Sequence, residues 1–403
     1  MEYLFVLGKN PLLSIAEILS YFESRQIEFK IKEAASQIII LETKNDLNTQ
    51  ETMFDLGGTI KICQVLQTLN KENIEIEFEK IFSQTQDKLR FGVSVYPKSS
   101  QSKKIWIEIT EKIKQYCKDN RIKIIHIKSS KKHGLIQLKH FEVLKKLIKK
   151  DGCEIVVFVD DSKIFLSKTL AVHDPSEFKI RDVGRPKQRA IYSIPPRLAK
   201  ILINLSGAVQ NDLLLDPFCG IGTILQEAML MKINTIGVDR SEKCIRNAEM
   251  NLNWIKEKYE IKDKVKNKLI VGDSREISNY FDKNSIDAVA TEPYLGPPLK
   301  RNPTKAQAEK ILRELEDLYT KSLKEINKVL KPGKKVSMVF PNFKTEEGTE
   351  MGLNVHDISE KSGFRIKNPL ENTSFINIYK NYSIIDADER HKTRREIFVL
   401  EKI

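Results

Sequence analysis

Residues 212–223 read DLLLDPFCGIGT, and this stretch decides the fold. The run DLLLD has the length and apolar content of a short buried strand. Gly220 and Gly222 follow it, and glycine lets a backbone turn sharply and approach a ligand closely. The helical pattern GTILQEAMLMK comes next. The stretch therefore predicts a strand, a glycine-rich turn and a helix, with Asp216 at the end of the strand.

The alternation of strands and helices extends in both directions from this stretch. The segment PPRLAKILINLSG predicts a helix with Pro at its start and Gly at its end, as helices prefer. Two late strands, residues 375–385 and 394–403, could pair in antiparallel fashion. Repeated units of this kind predict an α/β fold with a parallel, doubly wound sheet. Its further strands are predicted at residues 234–239, 268–274, 285–294 and 334–343.

Carboxylates stand at the ends of three consecutive predicted strands, at Asp216, Asp239 and Asp273. Ligands of doubly wound sheets bind at the carboxyl ends of the strands. Asp216 could accept from a ligand's ammonium group, Asp239 from two ribose hydroxyls and Asp273 from an adenine amine. The turn lacks the GxxxxGK[ST] pattern of P-loop proteins and the GxGxxG pattern of dinucleotide sites. We therefore predict an adenosine-bearing cofactor, although the acids alone would also suit NAD.

The fourth strand of this domain ends in Thr291-Glu292-Pro293-Tyr294. Methyl transfer by in-line displacement needs an oriented amine rather than a strong base. Glu292 and a backbone carbonyl next to Pro293 could accept the amine's hydrogens and point its lone pair at the methyl donor. Tyr294 could stack on a flipped base. The competing interpretation is a proline-containing turn with a core tyrosine.

Length and composition exclude several classes of protein. The 403 residues suffice for two or three domains, and no run of 18 apolar residues predicts a membrane span. The N-terminus does not resemble a secretory signal, so we expect a cytoplasmic protein. The five cysteines are scattered without a CxxC pair, and the six histidines show no ligand spacing. We therefore predict no metal site.

The net charge of +13 indicates a polyanionic partner. The surplus is concentrated between residues 103 and 150, where 15 basic residues face four acidic ones. Such a local excess is typical of a nucleic-acid-binding surface, although a solvated lysine-rich face would have the same composition.

The first 195 residues follow a different pattern from the rest. Residues 1–82 predict a small α+β unit of order β-α-β-(α)-β, which we interpret as a ferredoxin-like domain. Residues 83–172 predict a second α+β unit with alternating strands and helices. Residues 173–195 show no clear helical period and contain several prolines, so they predict a linker to a domain at 196–403.

Together these motifs resemble the THUMP-containing tRNA (guanine-N2-)-methyltransferases that modify guanosine 10. DPFCGIGT resembles the family's cofactor loop, GVD and GDS its ribose and adenine positions, and TEPYLGPP its catalytic D-P-P-Y element. Residues 83–172 resemble the RNA-binding THUMP domain. The resemblance implies a Rossmann-like class I methyltransferase domain that uses S-adenosylmethionine, preceded by ferredoxin-like and THUMP domains. It implies tRNA as the partner and a monomer, and leaves open a small activating subunit.

The resemblance also implies three groups of site residues. The catalytic residues are Thr291, Glu292, Pro293 and Tyr294. The cofactor-binding residues are Asp216, Pro217, Phe218, Cys219, Gly220, Gly222, Thr223, Asp239, Arg240, Asp273 and Ser274. The RNA-binding residues are Lys128, Lys131, Lys132, Lys139 and Arg185.

The chain departs from the family at the catalytic element, which is T-E-P-Y rather than D-P-P-Y. Glu292 keeps an acidic acceptor beside Pro293 and Tyr294, so we predict that Glu292 holds the amine, with Thr291 as the alternative. The missing proline leaves the target open to adenine N6, another guanosine or a DNA base amine. A non-catalytic RNA-binding protein of the same fold is a further alternative.

Overall fold

The computed structural model describes residues 1–35, 37–82, 88–97, 99–128, 136–148, 151–188, 193–261, 265–371, 383–386 and 392–403. Two compact units emerge from it. Unit 1 comprises Met1–Pro11 and Ile27–Glu177, and unit 2 comprises Leu12–Gln26 and Phe178–Ile403. The chain therefore enters unit 2 twice, first for a single helix and later for the remainder.

The first part of the chain contains eight strands and five helices among its described residues. They are β1 Glu2–Leu7, α1 Pro11–Ser24, β2 Phe29–Ala35, β3 Ile38–Thr43, α2 Thr49–Asp55, β4 Thr59–Asn70, α3 Phe78–Phe82, β5 Lys88–Tyr96, α4 Ser100–Asp119, β6 Lys123–His126, α5 His140–Lys146, β7 Gly152–Val159 and β8 Lys163–Val172. Helix α1 belongs to unit 2, where Asn204 Nδ2 donates to Glu17 Oε1 at 2.9 Å and both side chains are buried.

The strands of unit 1 form one sheet in the order β2-β3-β1-β4-β8-β7-β5-β6. Neighbours are antiparallel, except that β5 is parallel to both β6 and β7. Strands β4 and β8 pair from Lys61↔Val172 to Asn70↔Lys163. The segments predicted as ferredoxin-like and THUMP, residues 1–82 and 83–172, thus contribute to a single sheet. Their division into two modules stays a prediction.

Helix α4 illustrates how sequence spacing builds the core of unit 1. Its buried apolar residues recur every fourth position, at Ile105, Ile109, Ile113 and Cys117. That spacing places them on one face of a helix. They pack with residues of β5, β7 and β8 in the same apolar cluster. The charged residues of α4 occupy the other face, which leaves its lysines at the surface.

From residue 175 onward the elements alternate as expected for a doubly wound sheet. They are α6 Pro175–Val183, α7 Pro196–Leu205, β9 Leu213–Asp216, α8 Thr223–Leu230, β10 Asn234–Asp239, α9 Glu242–Lys258, β11 Asn267–Val271, a 3-10 helix Ser274–Asn279, β12 Ala288–Thr291, α10 Lys305–Val329, β13 Lys335–Lys344, β14 Glu350–Gly352, α11 Val355–Lys361, β15 Phe364–Lys367, β16 Ile384–Asp386 and β17 Thr393–Lys402.

The main sheet of unit 2 has the order β11-β10-β9-β12-β13-β17-β15. Its first five strands are parallel, and β17 runs antiparallel to both β13 and β15. Short strands β14 and β16 pair with β13 and β17. The chain reverses its direction of winding between β9 and β12, which makes the ends of these strands the expected ligand site. The predicted Rossmann-like fold is confirmed, as is an antiparallel final strand.

Helix α10 covers one face of this sheet. Leu315, Tyr319, Leu323 and Ile326 are at most 2% exposed and follow the three- and four-residue spacing of a helix face. They belong to the same apolar cluster as Val289 of β12. Residues 311–318 of α10, in its second to fourth turns, border the cavity at the carboxyl ends of the parallel strands.

Three segments differ from the expectations. Residues 173–195, predicted as a linker without a clear helical period, contain α6 at Pro175–Val183. Within α6, the buried Arg181 donates to Glu227 Oε1 at 2.7 Å. The sequence predicts the last strand of the β-α-β-(α)-β unit at residues 74–82, but Phe78–Phe82 form α3. Strand β2 has no equivalent among the predicted strands. Most of the strand predicted at 375–385 lies outside the described residues. None of the helices described is long and apolar enough to span a membrane.

Candidate active site

A cavity of about 500 Å³ lies at the carboxyl ends of the parallel strands of unit 2. Four strands contribute residues at or just after their ends, namely Asp216, Asp239, Asp273 and Glu292. The first turns of α10 line the other side, through Ile311, Glu314, Leu315, Asp317 and Leu318. The volume is in the range of small-molecule sites, and the place is the one that the strand order predicts.

The glycine-rich turn after β9 forms the floor of this cavity. Gly222 has a φ of +85° and precedes the first residue of α8, and a Cβ there would lie 3.3 Å from the Cβ of Ala248. A side chain at this position would therefore be both strained and crowded. The backbone N–H of Gly220 donates to Asp239 Oδ2 at 3.0 Å. The turn is thus fixed to the end of β10.

Asp216 is 2% exposed and lies beside the end of β12. Thr291 Oγ1 donates to Asp216 Oδ1 at 2.7 Å, and the N–H of Phe218 donates to the same oxygen at 3.2 Å. Burial raises the pKa of Asp216 to about 7, and these two hydrogen bonds oppose the rise only in part. A cationic ligand next to this carboxyl group would favour its ionised form.

The two other acids of the cofactor prediction also line the cavity. Asp239 accepts from the N–H of Gly220 through one oxygen and from the N–H of Ser241 through the other, at 2.8 Å. Arg275 Nη2 donates to Asp273 Oδ2 at 2.6 Å, and this contact lowers the pKa of Asp273. Both groups are therefore held in place as acceptors before any ligand arrives.

Glu292 forms an ion pair with Arg395 of β17, 103 residues away in the chain. Arg395 Nε donates to both carboxylate oxygens at 3.2 Å, and Nη2 donates to Oε1 at 3.0 Å. The side chains are only 10% and 13% exposed. Such a fork-like contact fixes the plane of the carboxylate as well as its charge.

Tyr294 lies at the rim of the cavity with 49% of its surface exposed. Its carbonyl oxygen accepts from the hydroxyl of Tyr319 at 2.8 Å. Burial, followed by the charge of Glu292, raises the pKa of Tyr319 well above its ordinary value, so this hydroxyl remains a donor. Gly296, with a φ of +98°, turns the chain where a Cβ would lie 2.8 Å from Ile311. The loop after β12 is therefore anchored while its tyrosine ring stays accessible.

Two family models match the chain. One, described as an RMKL-like methyltransferase domain, matches residues 186–364. The other, described as a DNA methylase, matches residues 36–250, which is 215 of the 403 residues. The chain belongs to the methyltransferases that these two models describe.

Curated relatives of this methyltransferase carry the name tRNA (guanine(10)-N2)-dimethyltransferase. The protein from Pyrococcus abyssi is 29% identical over 45% of this chain and 46% of its own length. The protein from Methanothermobacter thermautotrophicus is 30% identical over 46% of this chain and 50% of its own length. The chain thus spans about half the length of the curated relatives it matches. The crystal structure of TrmN from Thermus thermophilus covers 100% of both chains at 15% identity, with a TM-score of 0.52, and shares the fold.

The residues around the cavity fit S-adenosylmethionine. Three carboxylates on successive strand ends suit an ammonium group, a ribose and an adenine amine, and Phe218, Ile221 and Ile224 add apolar surface. Gly220 and Gly222 have positive φ angles, which glycine adopts readily. Because glycine has no side chain, the backbone of the turn can approach a ligand closely.

The structure brings most of the predicted site residues of the methyltransferase together. The residues that line the cavity are Asp216, Pro217, Phe218, Cys219, Gly220, Thr223, Asp239, Arg240, Asp273, Ser274, Glu292, Pro293 and Tyr294. Gly222 and Thr291 do not line it and act through the turn and through Asp216. The hydroxyl of Ser274 is bonded to that of Ser322 at 2.8 Å, so only the rest of this residue borders the cavity.

Of the residues predicted to contact RNA, Lys128 and Lys139 are exposed in unit 1, and Lys131 and Lys132 lie outside the described residues. The prediction for Arg185 is corrected. Its side chain is buried, at 3% exposure, and its guanidinium donates to Thr223 Oγ1 and to Ser193 Oγ, both at 2.6 Å. Arg185 therefore braces the start of α8 instead of facing a solvent-borne ligand.

The sequence analysis missed Arg395, Arg275 and two acids of α10, Glu314 and Asp317. The acids stand three positions apart in a strongly charged helix, a pattern that fits a solvated face equally well. No sequence pattern around Arg395 indicates a place in the site, because its partner Glu292 follows a different strand. Only the pairing of β17 with β13 places it beside the end of β12.

Proposed function

We propose that this methyltransferase transfers a methyl group from S-adenosylmethionine to the exocyclic N2 amine of a guanosine in tRNA, with position 10 as the expected target. One observation carries the proposal. Glu292 and Tyr294 line the same cavity as Asp216, Asp239 and Asp273, so an acceptor for a base amine and the acids that suit the cofactor share one space. The names of the curated relatives support the choice of tRNA and of guanine N2.

The three strand-end acids would hold the cofactor. Asp216 would face its ammonium group, Asp239 its ribose hydroxyls and Asp273 its adenine amine. When bound, S-adenosylmethionine supplies an electrophilic methyl group on a positively charged sulfur. The buried position of Asp216 strengthens its attraction for a cation, because water screens the interaction less. The contacts that hold Asp239 and Asp273 leave these side chains already oriented.

Glu292 would hold the target amine. The lone pair of guanine N2 is delocalised into the ring, so the amine has to be oriented before it can attack. A hydrogen bond from the amine to a carboxylate oxygen of Glu292 fixes that orientation. The nitrogen would gain the methyl carbon as the carbon–sulfur bond breaks, with that bond's electron pair left on sulfur. The nitrogen would then lose one proton to the Glu292 oxygen that accepts its hydrogen bond.

Tyr294 would hold the plane of the base. A base that leaves its helix loses stacking, at a cost of a few kcal/mol. Stacking on an aromatic side chain offsets this cost by roughly 1–3 kcal/mol per base. The exposed ring of Tyr294, on an anchored backbone at the rim of the cavity, supports this role.

The basic segment of unit 1 would bind the tRNA. Residues 103–150 contain 15 basic residues and four acidic ones. Within this segment, Lys128 and Lys139 are exposed. We assign residues 1–82 to a ferredoxin-like domain, 83–172 to a THUMP domain, 173–195 to the connection and 196–403 to the catalytic domain. On this proposal the enzyme acts as a monomer in the cytoplasm, with or without a small activating subunit.

The proposal is tested by incubating the full chain with tRNA and S-adenosylmethionine labelled in its methyl group. Nucleoside digestion should yield labelled N2-methylguanosine. The variant Asp239→Ala should weaken cofactor binding, measured by calorimetry, whereas Glu292→Ala should lower turnover with little loss of cofactor binding. Label found only in adenosine would refute the guanine assignment. If Glu292→Ala kept the full rate of methylation, Thr291 would be the residue that holds the target amine.

A DNA base amine is the second candidate, favoured by the DNA methylase model that matches residues 36–250. That match ends before β12, so it does not include Glu292 or Tyr294. A gel-shift comparison of tRNA with duplex DNA, made at the same salt concentration because phosphate contacts depend strongly on salt, would separate the two polymers.

A further inference from the structure

The ion pair between Glu292 and Arg395 has a chemical consequence for the choice of base. A carboxylate offers hydrogen-bond acceptors only, whereas a protonated carboxyl group offers one donor and one acceptor. A guanidinium in bidentate contact stabilises the ionised form. Arg395 therefore determines whether Glu292 presents two acceptors to the cavity.

Two other described groups interact with Glu292, and neither favours its ionised form. Asp216 of the neighbouring strand end interacts with it as a second acid, and Tyr319 of α10 approaches it as a neutral phenol. Two acids that share a cavity disfavour each other's charge. Among the residues that the structure describes, Arg395 is the cation in direct contact with this carboxylate.

We propose that Arg395 is a positioning residue that makes Glu292 a reader of guanine. The inference rests on the proposed function, since it concerns how the same site selects its base. The edge of guanine carries two adjacent donors, N1–H and the N2 amine, which match two carboxylate oxygens. Adenine carries a donor next to an acceptor, N6–H beside N1, so an ionised Glu292 would face the lone pair of N1.

The analogue 2-aminopurine isolates this contact. It keeps the amine at C2 but has an unprotonated N1 and lacks O6. An ionised Glu292 can accept from its amine, but the second oxygen then faces the lone pair of N1. The variant Glu292→Gln reverses the preference, because its carbonyl accepts from the amine while its NH₂ donates to N1.

The experiment compares two tRNAs assembled by ligation, with guanosine or 2-aminopurine riboside at the position that the wild type methylates. We expect the wild type to favour guanosine in kcat/KM by roughly tenfold or more, the usual effect of one unsatisfied buried hydrogen bond. Glu292→Gln should lower that ratio at least about tenfold. Arg395→Ala should lower it in the same direction, and Arg395→Lys should restore part of it because the charge is retained.

The matched control is Arg394→Ala, which removes the neighbouring arginine of β17 and its ion pair with Glu350. It should leave the ratio at the wild-type value. Equal use of both tRNAs by the wild type would overturn the inference, as would an Arg395→Ala enzyme with lower turnover and an unchanged ratio. If the wild type methylated no guanosine in any tRNA, the proposed function itself would fail, and the two failures are thereby distinguished.

Discussion

At the scale of single residues, Asp216 shows how burial changes the chemistry of a common side chain. It lies at the point where the winding of the sheet reverses, nearly out of contact with water. The hydroxyl of Thr291 and one backbone N–H partly replace the lost hydration. Because this replacement is incomplete, the pKa of Asp216 is raised. Binding of a cation next to Asp216 favours its ionised form and therefore releases a proton.

This coupling gives a prediction for pH. Below about pH 7 the carboxyl group of Asp216 is protonated in the free protein, and a cationic cofactor must displace that proton. The dissociation constant for S-adenosylmethionine should therefore rise as pH falls from 7 to 6, by up to roughly tenfold per pH unit. Calorimetry in buffers of different ionisation enthalpy should detect the released proton. Asp216→Asn should bind more weakly at pH 8 and show no proton release; a release of the same size would contradict the assignment.

Sequence reasoning succeeded for residues whose role follows from their place at a strand end. Asp216 and Asp239 are recognisable because each directly follows an apolar run, and Asp273 because only Gly272 separates it from one. All three line the cavity. Sequence reasoning failed for Arg185, which the resemblance implied as an RNA-binding residue, because three side-chain acceptors hold its buried guanidinium. Whether a charged residue points inward depends on packing partners that no local pattern reveals.

At the scale of elements, the turn from β9 into α8 depends on Gly222. Alanine there would need a left-handed backbone, which costs about 1–2 kcal/mol, and its methyl group would press on Ala248. We predict that Gly222→Ala lowers the free energy of unfolding and also weakens S-adenosylmethionine binding. Chemical denaturation and calorimetry measure the two effects.

Gly333→Ala is the control for this prediction. Gly333 has a φ of +71°, and a Cβ there would meet no atom within 4 Å. This variant should lose stability through the backbone alone and bind the cofactor as the wild type does. Equal cofactor binding by both variants would show that the turn tolerates the methyl group.

The edge strand β6 contains a histidine that resists protonation. His126 stacks on Phe91 with ring centroids 4.6 Å apart, and neither ring nitrogen has a hydrogen-bond partner among the described residues. Burial, with a contribution from Lys114 and Lys128, lowers the pKa of His126 to about 4. The folded state thus excludes a proton that the unfolded chain binds near pH 6.5.

We therefore predict that unit 1 loses stability through His126 as pH falls from about 6.5 towards 4. His126→Phe keeps the stack and removes the titrating group, so its free energy of unfolding should fall less between pH 7 and pH 5 than that of the wild type. Urea denaturation at the two pH values measures the difference. His356→Phe, at an exposed histidine, should behave as the wild type does. An identical pH dependence for His126→Phe would contradict the prediction.

The elements that sequence analysis missed have a common property. β2 alternates lysine and glutamate with small or apolar residues, and α6 combines a proline with charged residues. Neither segment has a pattern of apolar residues clear enough to predict whether it forms a strand or a helix. Pairing with β3 stabilises β2, and the buried ion pair between Arg181 and Glu227, 46 residues apart in the chain, stabilises α6. By contrast, β9, β10 and α10 were predictable because their own apolar periodicity determines them.

At the scale of the whole molecule, a buried ion pair tests how far the two units depend on each other. Lys61 Nζ lies 2.5 Å from Glu154 Oε1 in the sheet of unit 1. The hydroxyls of Ser94 and Thr169 each donate to this carboxylate at 2.6 Å. Although burial alone would lower the pKa of Lys61, the charge of Glu154 raises it above the ordinary range. Lys61 is therefore charged, and both side chains of the pair are fully buried.

Removing one member should leave the other charge buried without compensation, at a cost of about 3–5 kcal/mol. We predict that Lys61→Met destabilises unit 1 by this amount and abolishes tRNA binding, while S-adenosylmethionine binding by unit 2 stays within about twofold of the wild type. The double variant with Glu154→Leu should recover much of the stability. Loss of cofactor binding in Lys61→Met would show that the catalytic unit requires an intact unit 1.

The early position of α1 has a consequence for synthesis. Helix α1 emerges from the ribosome long before the rest of unit 2. The partner of its Glu17, Asn204, follows 187 residues later, on α7 of the same unit. At about 5–20 residues per second, α1 waits roughly 10–40 seconds for the surface that buries it. Until the rest of unit 2 has been synthesised, the apolar face of α1 cannot pack against its native partners. We therefore expect nascent chains to depend on a chaperone or on slow translation. A recombinant fragment that starts at the second entry into unit 2 would lack this helix permanently.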